Sequence, residues 1–317
     1  MKQSEYQYFY SDLADLLSAG ITLPAALKKV LSRQQTGISK MDEIRPALHS
    51  GDIVGAFKKL ALPGRDARIL KAGHTGGNMV EACRNLADLY KQWDEMMGKT
   101  FFIGIWFFFT GLVACFVISV FAYISGGSRA ALTALVLTTG GWTFITVHGF
   151  KNFKKLISGA SAKQGSLFLR LPLFKNVFTH LQHFLLYFQW QLMYEAGLSL
   201  SEIFSNLSAD FPDYSSVLEL ARYKTATGTD LNSLPHLKEI LSARDYERLT
   251  VGEQSGKLDE VLAQLKDIHR ARLEQLVENL PRILLLAFYL LLIPVVAGIV
   301  IYFWITYFSF VSSITSM

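Results

Sequence analysis

The chain has 317 residues, of which 51% are hydrophobic and 18% charged, with a formal net charge of +5. This length fits about two domains of ordinary size, and the positive mean hydropathy of +0.28 is high for a soluble protein. The mild positive charge suits a membrane surface and argues against a dedicated nucleic-acid-binding protein. Cys83 lies in a mixed polar region and Cys115 in an apolar run, so no structural disulfide is expected.

An internal repeat dominates the sequence. LADLLSAGITLPAAL at residues 13–27 matches WQLMYEAGLSLSEIF at residues 190–204, aligned on Gly20 and Gly197 with an offset of 177 residues. Two further blocks match in the same order, residues 49–60 with 226–237 and residues 71–90 with 250–269. Three matched blocks in one order indicate a single soluble module that is used twice.

Module 1, residues 1–98, is predicted to be all-helical. Apolar residues recur at helical spacing from Tyr6 to Leu17 and form one stripe. Gly20 is expected to end this helix in a left-handed conformation. A long amphipathic helix is predicted from about Met79 to Gly98, and no alternating run predicts a strand. Six glycines are predicted to form the corners of the two modules, namely Gly20, Gly73, Gly77, Gly197, Gly252 and Gly256.

Three apolar segments predict membrane-spanning helices. Residues 101–124 carry no charge and would extend about 36 Å as a helix, enough to cross a bilayer core of roughly 30 Å. Residues 130–150 form a second predicted span after a turn at 125–129, and residues 283–310 form a third after module 2, residues 165–279. The second span is rich in threonine and glycine, which favour close helix contacts in lipid, so we expect it to face protein.

The basic residues predict one orientation. Lysines and arginines precede the first span, follow the second and precede the third, whereas only Arg129 lies in the turn between the first two. The positive-inside rule therefore predicts that the N-terminus and both modules are cytoplasmic and that the C-terminus lies on the other side. The first twenty residues lack the apolar core of a cleavable signal peptide.

The sequence predicts no nucleotide site, cofactor or catalytic residues. GEQSGKL at residues 252–258 is the nearest approach to a phosphate-binding loop, but only three residues separate its glycines and Leu258 follows the lysine. No arrangement of nucleophile, acid and base has supporting context. We interpret this stretch as a helix corner in which the glycines supply special backbone angles.

Two further features leave alternatives open. His180 and His183 are three residues apart, a spacing that can bind metal, but no Cys or carboxylate cluster completes the set, so we interpret them as a surface pair and predict no metal site. Glu253 lies at a glycine-rich corner where module 1 has His74. It is predicted to cap free amides at a helix start, and the alternative is contact with a partner.

Together these motifs resemble a known family, the polytopic inner-membrane platform proteins of type IV pilus and type II secretion machines. The resemblance is carried by LLSAGITLPAAL and MYEAGLSLSEIF, by LRLPLF at 169–174, by VGEQSGKLDEVLAQL at 251–265, and by the order of modules and spans. Module 1 departs from the pattern at His74 and Gly76. The compact N-terminal region is similar to that of type IVb pilus members, which favours a pilus over a secretion apparatus.

The resemblance implies an all-α membrane protein with two cytoplasmic six-helix bundles and three transmembrane helices. It implies a multi-pass protein of the bacterial inner membrane with a periplasmic C-terminus. Such proteins are not enzymes; they form homo-oligomers, contact a hexameric cytoplasmic assembly ATPase and other inner-membrane components of the machine, and couple the ATPase to the extraction of pilin or pseudopilin from the lipid. The chain has no ATP-binding motif of its own, so the energy is expected to come from that partner.

Three other functions were weighed. A transporter or channel would need an ionisable residue well inside a span, and none is present in the predicted spans. A membrane enzyme would need an acid or base constellation. A scaffold for an unrelated complex, or the platform of a type II secretion system, remains compatible with the same pattern.

Overall fold

The computed structural model describes residues 3–32, 43–47, 50, 52–60, 62–157 and 172–315. No strand occurs among these residues, as the sequence predicted. They divide into two compact units. Unit 1 contains Met1–Glu95 and Thr179–Leu273, and unit 2 contains Met96–Phe178 and Glu274–Met317.

The α-helices follow one another with short connections. In chain order the longer ones are α1 (Gln3–Ser18), α2 (Leu23–Ser32), α3 (Ile53–Lys59), α4 (Gly64–Thr75), α5 (Met79–Ile157), α6 (Pro172–Glu195), α7 (Leu200–Asp210), α8 (Ser215–Ala226), α9 (Ala243–Gln254) and α10 (Leu258–Thr315). Short 3-10 helices lie at Pro212–Tyr214, Leu231–Ser233 and Pro235–Glu239.

Unit 1 buries apolar faces from both modules. Its largest fully buried side chains include Trp93 and Phe57 of module 1 and Trp190 and Phe204 of module 2. The two modules follow the same helix order, except that module 2 has 3-10 helices where module 1 has α3. The six-helix bundle that the resemblance implies for each module therefore stays a prediction.

The same corner geometry ends helices in both modules. Gly20 and Gly197 have φ angles of 81° and 80°, in the left-handed region that favours glycine. The amides of Ile21 and Leu198 each donate back to a carbonyl five residues earlier, at 3.1 Å, which satisfies the exposed end of the helix. Ser199 then begins α7 with a reciprocal capping box to Glu202.

Two helices continue from unit 1 into unit 2. The prediction that the helix from Met79 ends near Gly98 is wrong, because α5 runs on to Ile157 with one non-helical residue, Gly127 (φ 76°). Gly127 lies inside the turn that the sequence predicted at 125–129. Likewise α10 runs from module 2 through the apolar C-terminal segment without a break. Uncharged segments of this kind keep their backbone hydrogen bonds within the helix, so no connecting loop is required.

Two helical segments of unit 2 are long and apolar enough to cross a membrane, Gly127–Gly149 and Phe288–Ser309. A shorter apolar helix, Phe108–Ile124, lies within the first predicted span. The threonines of these segments bond within their own helices: Thr143 donates to the Thr139 carbonyl oxygen at 2.7 Å. Such bonds satisfy hydroxyl groups that lipid cannot.

Trp142 joins the three apolar segments of unit 2. Its Nε1 donates to the Phe108 carbonyl oxygen at 3.1 Å, and its ring lies 5.3 Å from that of Phe288. A Cβ atom on Gly111 would collide with the Trp142 ring. The absence of a side chain at Gly111 therefore lets the indole reach the neighbouring backbone.

Candidate functional site

Each module buries one aspartate at an equivalent position. Asp66 lies in GRDAR and Asp245 in ARDYE, in the first turns of α4 and α9, at the offset of 179 residues that relates the third pair of matched blocks. Asp66 is 0% exposed and Asp245 is 6% exposed. A buried carboxylate is costly unless hydrogen bonds or opposite charges compensate it. The partners of these two groups therefore define the most constrained polar sites of unit 1.

In module 1 two tyrosines hold the carboxylate. Asp66 Oδ2 accepts hydrogen bonds from the hydroxyl groups of Tyr10 at 2.9 Å and Tyr90 at 2.6 Å. The Tyr90 ring stacks on those of Tyr6 and Tyr10, with centroids 5.0 and 5.7 Å apart. Burial, and next the charge of Asp66, raise the pKa of Tyr10 and Tyr90. Both phenols therefore stay neutral donors and fasten α1 and α5 to α4.

In module 2 the equivalent positions carry different chemistry. Tyr187 corresponds to Tyr10, but His269 stands where module 1 has Tyr90. His269 Nε2 lies 3.1 Å from Asp245 Oδ2, and its Nδ1 lies 3.1 Å from His180 Nδ1. Burial by itself would raise the pKa of Asp245, but the hydrogen bond from His269 holds it below its usual value.

His183 is buried, at 8% exposure, so its interpretation as part of a surface pair is wrong. Its Nε2 donates to the Ile240 carbonyl oxygen at 2.9 Å, and its ring meets that of His269 edge to face at 5.0 Å. Burial, and next the nearby His269, lower the pKa of His183 to about 4. The sequence misled because α6 buries a broad face in unit 1, and that face includes His183.

His183, Asp245 and His269 are arranged so that they could hold a metal ion. One ligand atom from each lies within 4.8 Å of the other two. The hydroxyl group of Tyr187, buried beside them, has no hydrogen-bond partner among the described residues. Burial, and next the charge of Asp245, raise the pKa of Tyr187, so this hydroxyl stays protonated. The sequence signal for this site was the repeated Arg-Asp pair, which continues the third matched block towards its N-terminal side.

The corners of the two modules meet in unit 1. A Cβ atom on Gly76 would collide with the carbonyl oxygen of Ala196, and Asn78 Nδ2 donates to the Glu195 carbonyl oxygen at 3.4 Å. Beside this contact Arg68 Nε donates to Asp210 Oδ2 at 3.0 Å. The corner of module 1 at Gly76 thus packs directly on the corner of module 2 at Gly197.

The six predicted corner glycines serve two different purposes. Gly77 and Gly256 share positive φ angles, 76° and 69°, with Gly20 and Gly197. Gly73 and Gly252 are helical, and their value is close packing: added Cβ atoms would lie 2.7 Å from Ala82 Cβ and 2.8 Å from Val261 Cγ2. Each of these two glycines lets a helix end approach the helix that follows it.

Glu253 is half-buried and accepts a hydrogen bond from the Leu231 amide at 2.7 Å. This amide begins a 3-10 helix and does not belong to the Gly252–Gly256 corner. Burial raises the pKa of Glu253 above its usual value, although the bond from Leu231 opposes that rise. Glu253 therefore joins α9 to the preceding segment.

These features define a class: an all-helical membrane protein whose unit 1 is built from a duplicated module. The sequence profile of the type II secretion system (T2SS) protein F family matches residues 9–125 and 186–308, two regions separated by the same offset of 177 residues. The matched regions cover more than half of the chain, which therefore belongs to this family of membrane platform proteins of secretion and pilus machines. A comparison with curated proteins found no significant match.

Proposed function

We propose that this chain is the inner-membrane platform protein of a type IV pilus machine. It would couple a hexameric cytoplasmic assembly ATPase to the extraction of pilin and the growth of the filament. The observation that carries this proposal is the continuity of α5 and α10, each of which begins in the duplicated unit and ends in an apolar segment. Helices resist bending over short lengths, so a rotation imposed on unit 1 would be transmitted towards the membrane.

The orientation follows from charge. The basic residues flanking the apolar segments favour cytoplasmic modules and a periplasmic C-terminus in a bacterial inner membrane. Unit 1 would then lie on the side where ATP is hydrolysed, and the ATPase would grip it there. The membrane helices of a homo-oligomer would receive the pilin.

The second apolar segment offers a surface for such a helix. A shallow groove along it is lined mainly by Val136, Thr139, Gly140, Thr143, Phe144 and Val147. The hydroxyl groups of Thr139 and Thr143 bond to carbonyl groups of their own helix, so the groove presents mostly apolar atoms. Small residues and an apolar surface are what close helix contact in lipid requires.

The platform of a type II secretion system is the second candidate, and the matched family profile favours it equally. In that case the lifted subunit is a pseudopilin and the product is secretion of folded proteins. Both candidates use the same units and differ in the substrate that leaves the cell.

Deletion of the gene distinguishes the two candidates. For a pilus platform we expect bald cells by electron microscopy, with normal amounts of pilin held in the membrane on an immunoblot, and restoration by the intact gene. Normal pili together with proteins trapped in the periplasm would establish the secretion function instead. Normal pili and normal secretion would refute both.

A further inference from the structure

We propose that His183, Asp245 and His269 form a binding site for a divalent transition-metal ion of the zinc type in module 2. The three residues come from α6, α9 and α10, and each is less than 9% exposed. A metal ion bound there would fasten three helices of unit 1 at one point. The inference is independent of which machine the chain serves.

The present distances resemble those between ligands of one ion. His269 Nε2 is 3.1 Å from Asp245 Oδ2, and two ligand atoms on a tetrahedral zinc ion with bonds of about 2.0–2.1 Å are roughly 3.3 Å apart. The His183 and His269 ring centroids are 5.0 Å apart, close to the roughly 5 Å expected for two imidazoles on such an ion. Small side-chain shifts therefore separate this arrangement from coordination.

The outer nitrogens of both histidines have suitable acceptors. His183 Nε2 donates to the Ile240 carbonyl oxygen, which leaves Nδ1 unprotonated and able to bind a metal ion. When His269 Nε2 binds the ion, its Nδ1 carries the proton and donates to His180 Nδ1, 3.1 Å away. Metal-ligating histidines ordinarily orient themselves through such a second hydrogen bond.

The Tyr187 hydroxyl supplies an independent observation. Its counterpart in module 1, Tyr10, donates to Asp66 at 2.9 Å, whereas Tyr187 is buried without a hydrogen-bond partner among the described residues. A buried hydroxyl of this kind is costly. Three protein ligands leave the fourth position of a tetrahedral ion to water, and such a water would give the Tyr187 hydroxyl a partner.

The donor set selects the class of ion. Two imidazoles and one carboxylate are typical of zinc and its transition-metal neighbours, whereas calcium and magnesium prefer all-oxygen sites. His183 is neutral and Asp245 is ionised at neutral pH, the forms that bind metals. Module 1 has Tyr6 and Tyr90 at the two histidine positions, so it offers no comparable site.

The test is metal stoichiometry of the full chain, purified in detergent with an affinity tag that contains no histidine. The protein is stripped with a chelator, incubated with Zn²⁺, desalted and analysed by mass spectrometry of the metal. We expect about one zinc ion per chain, the number that one closed site would hold, and a rise in the thermal unfolding temperature on zinc addition, because an ion that binds the native state stabilises it.

The deciding variant carries H183Y and H269Y, which give module 2 the residues of module 1 at both positions. Because tyrosines already fill this arrangement in module 1, we expect the variant to fold, and its thermal unfolding curve without metal checks this. It should lose the retained zinc, whereas Y90F in module 1 should retain it. Absence of retained zinc in the unaltered chain would overturn the proposal, and so would equal zinc retention in the folded double variant.

Discussion

Replacement of Tyr90 with phenylalanine tests the buried carboxylate of module 1. The substitution removes only the hydroxyl group that donates to Asp66 at 2.6 Å and leaves the ring stacked on Tyr6 and Tyr10. Asp66 keeps the hydrogen bond from Tyr10 at 2.9 Å and the Arg65 guanidinium at 3.4 Å. The loss is therefore one charge-assisted hydrogen bond in a dry site, which costs about 1.5–3 kcal/mol of unfolding free energy.

The assay is resistance to a brief protease pulse across a urea titration of the full chain in detergent. The pulse cleaves the unfolded fraction, so the midpoint reports the stability of the segment that is cut. Tyr8, 67% exposed on the same helix as Tyr10, supplies the matched control: Y8F should change stability by less than about 0.5 kcal/mol. A Y90F effect as small as that of Y8F would refute the assigned role of Asp66.

A double-mutant cycle then isolates the interaction. In a D66N background the Tyr90 hydroxyl no longer faces a charge, so Y90F should cost less there by about 1 kcal/mol or more. Equal costs in the two backgrounds would mean that Tyr90 acts through its general packing and not through the carboxylate.

Two further predictions concern module 2. Gly197 has a φ of 80° and nothing within 4 Å of an added Cβ atom, so G197V should destabilise by strain alone, about 1–2 kcal/mol, and G197N by less because asparagine tolerates this conformation; equal losses on urea titration would argue against strain. Folding raises the pKa of Glu253 above 4.5, so the folded state binds the proton more tightly, and stability contributed by this group falls as pH rises from 4.5 through its folded pKa. E253Q, which has no charge to bury, should remove that fall in urea midpoints between acid and neutral pH; a profile parallel to that of the unaltered chain would contradict the assignment.

The repeat, the helical content and the positions of the positive-φ glycines could be predicted from the sequence because they depend on local signals. Gly20 and Gly197 stand where an apolar helical stripe stops, and that pattern is readable within a dozen residues. The continuity of α5 past Gly98 could not be read in the same way, since a glycine at that point resembles a helix end until the apolar residues beyond it are placed in lipid.

The buried carboxylates were missed because their partners are distant in the sequence. Asp66 receives its hydrogen bonds from residues 56 and 24 positions away. A single sequence contains no direct signal for such contacts, and an isolated Arg-Asp pair is typical of a solvated helix start. Superposition of the two modules supplies the missing signal, since it aligns Asp66 with Asp245 and Tyr10 with Tyr187 at once.

The duplication has kept the acid and changed what holds it. In module 1 neutral phenols surround Asp66, and since their pKa values are raised they have no charge to change near neutral pH. In module 2 imidazoles surround Asp245, and imidazoles bind metal ions and protons that phenols do not. His269 lies on α10, the helix that continues into the apolar segment Phe288–Ser309. A ligand at the module 2 site would therefore act on a helix that extends into that apolar segment, whereas its counterpart in module 1 remains a fixed joint.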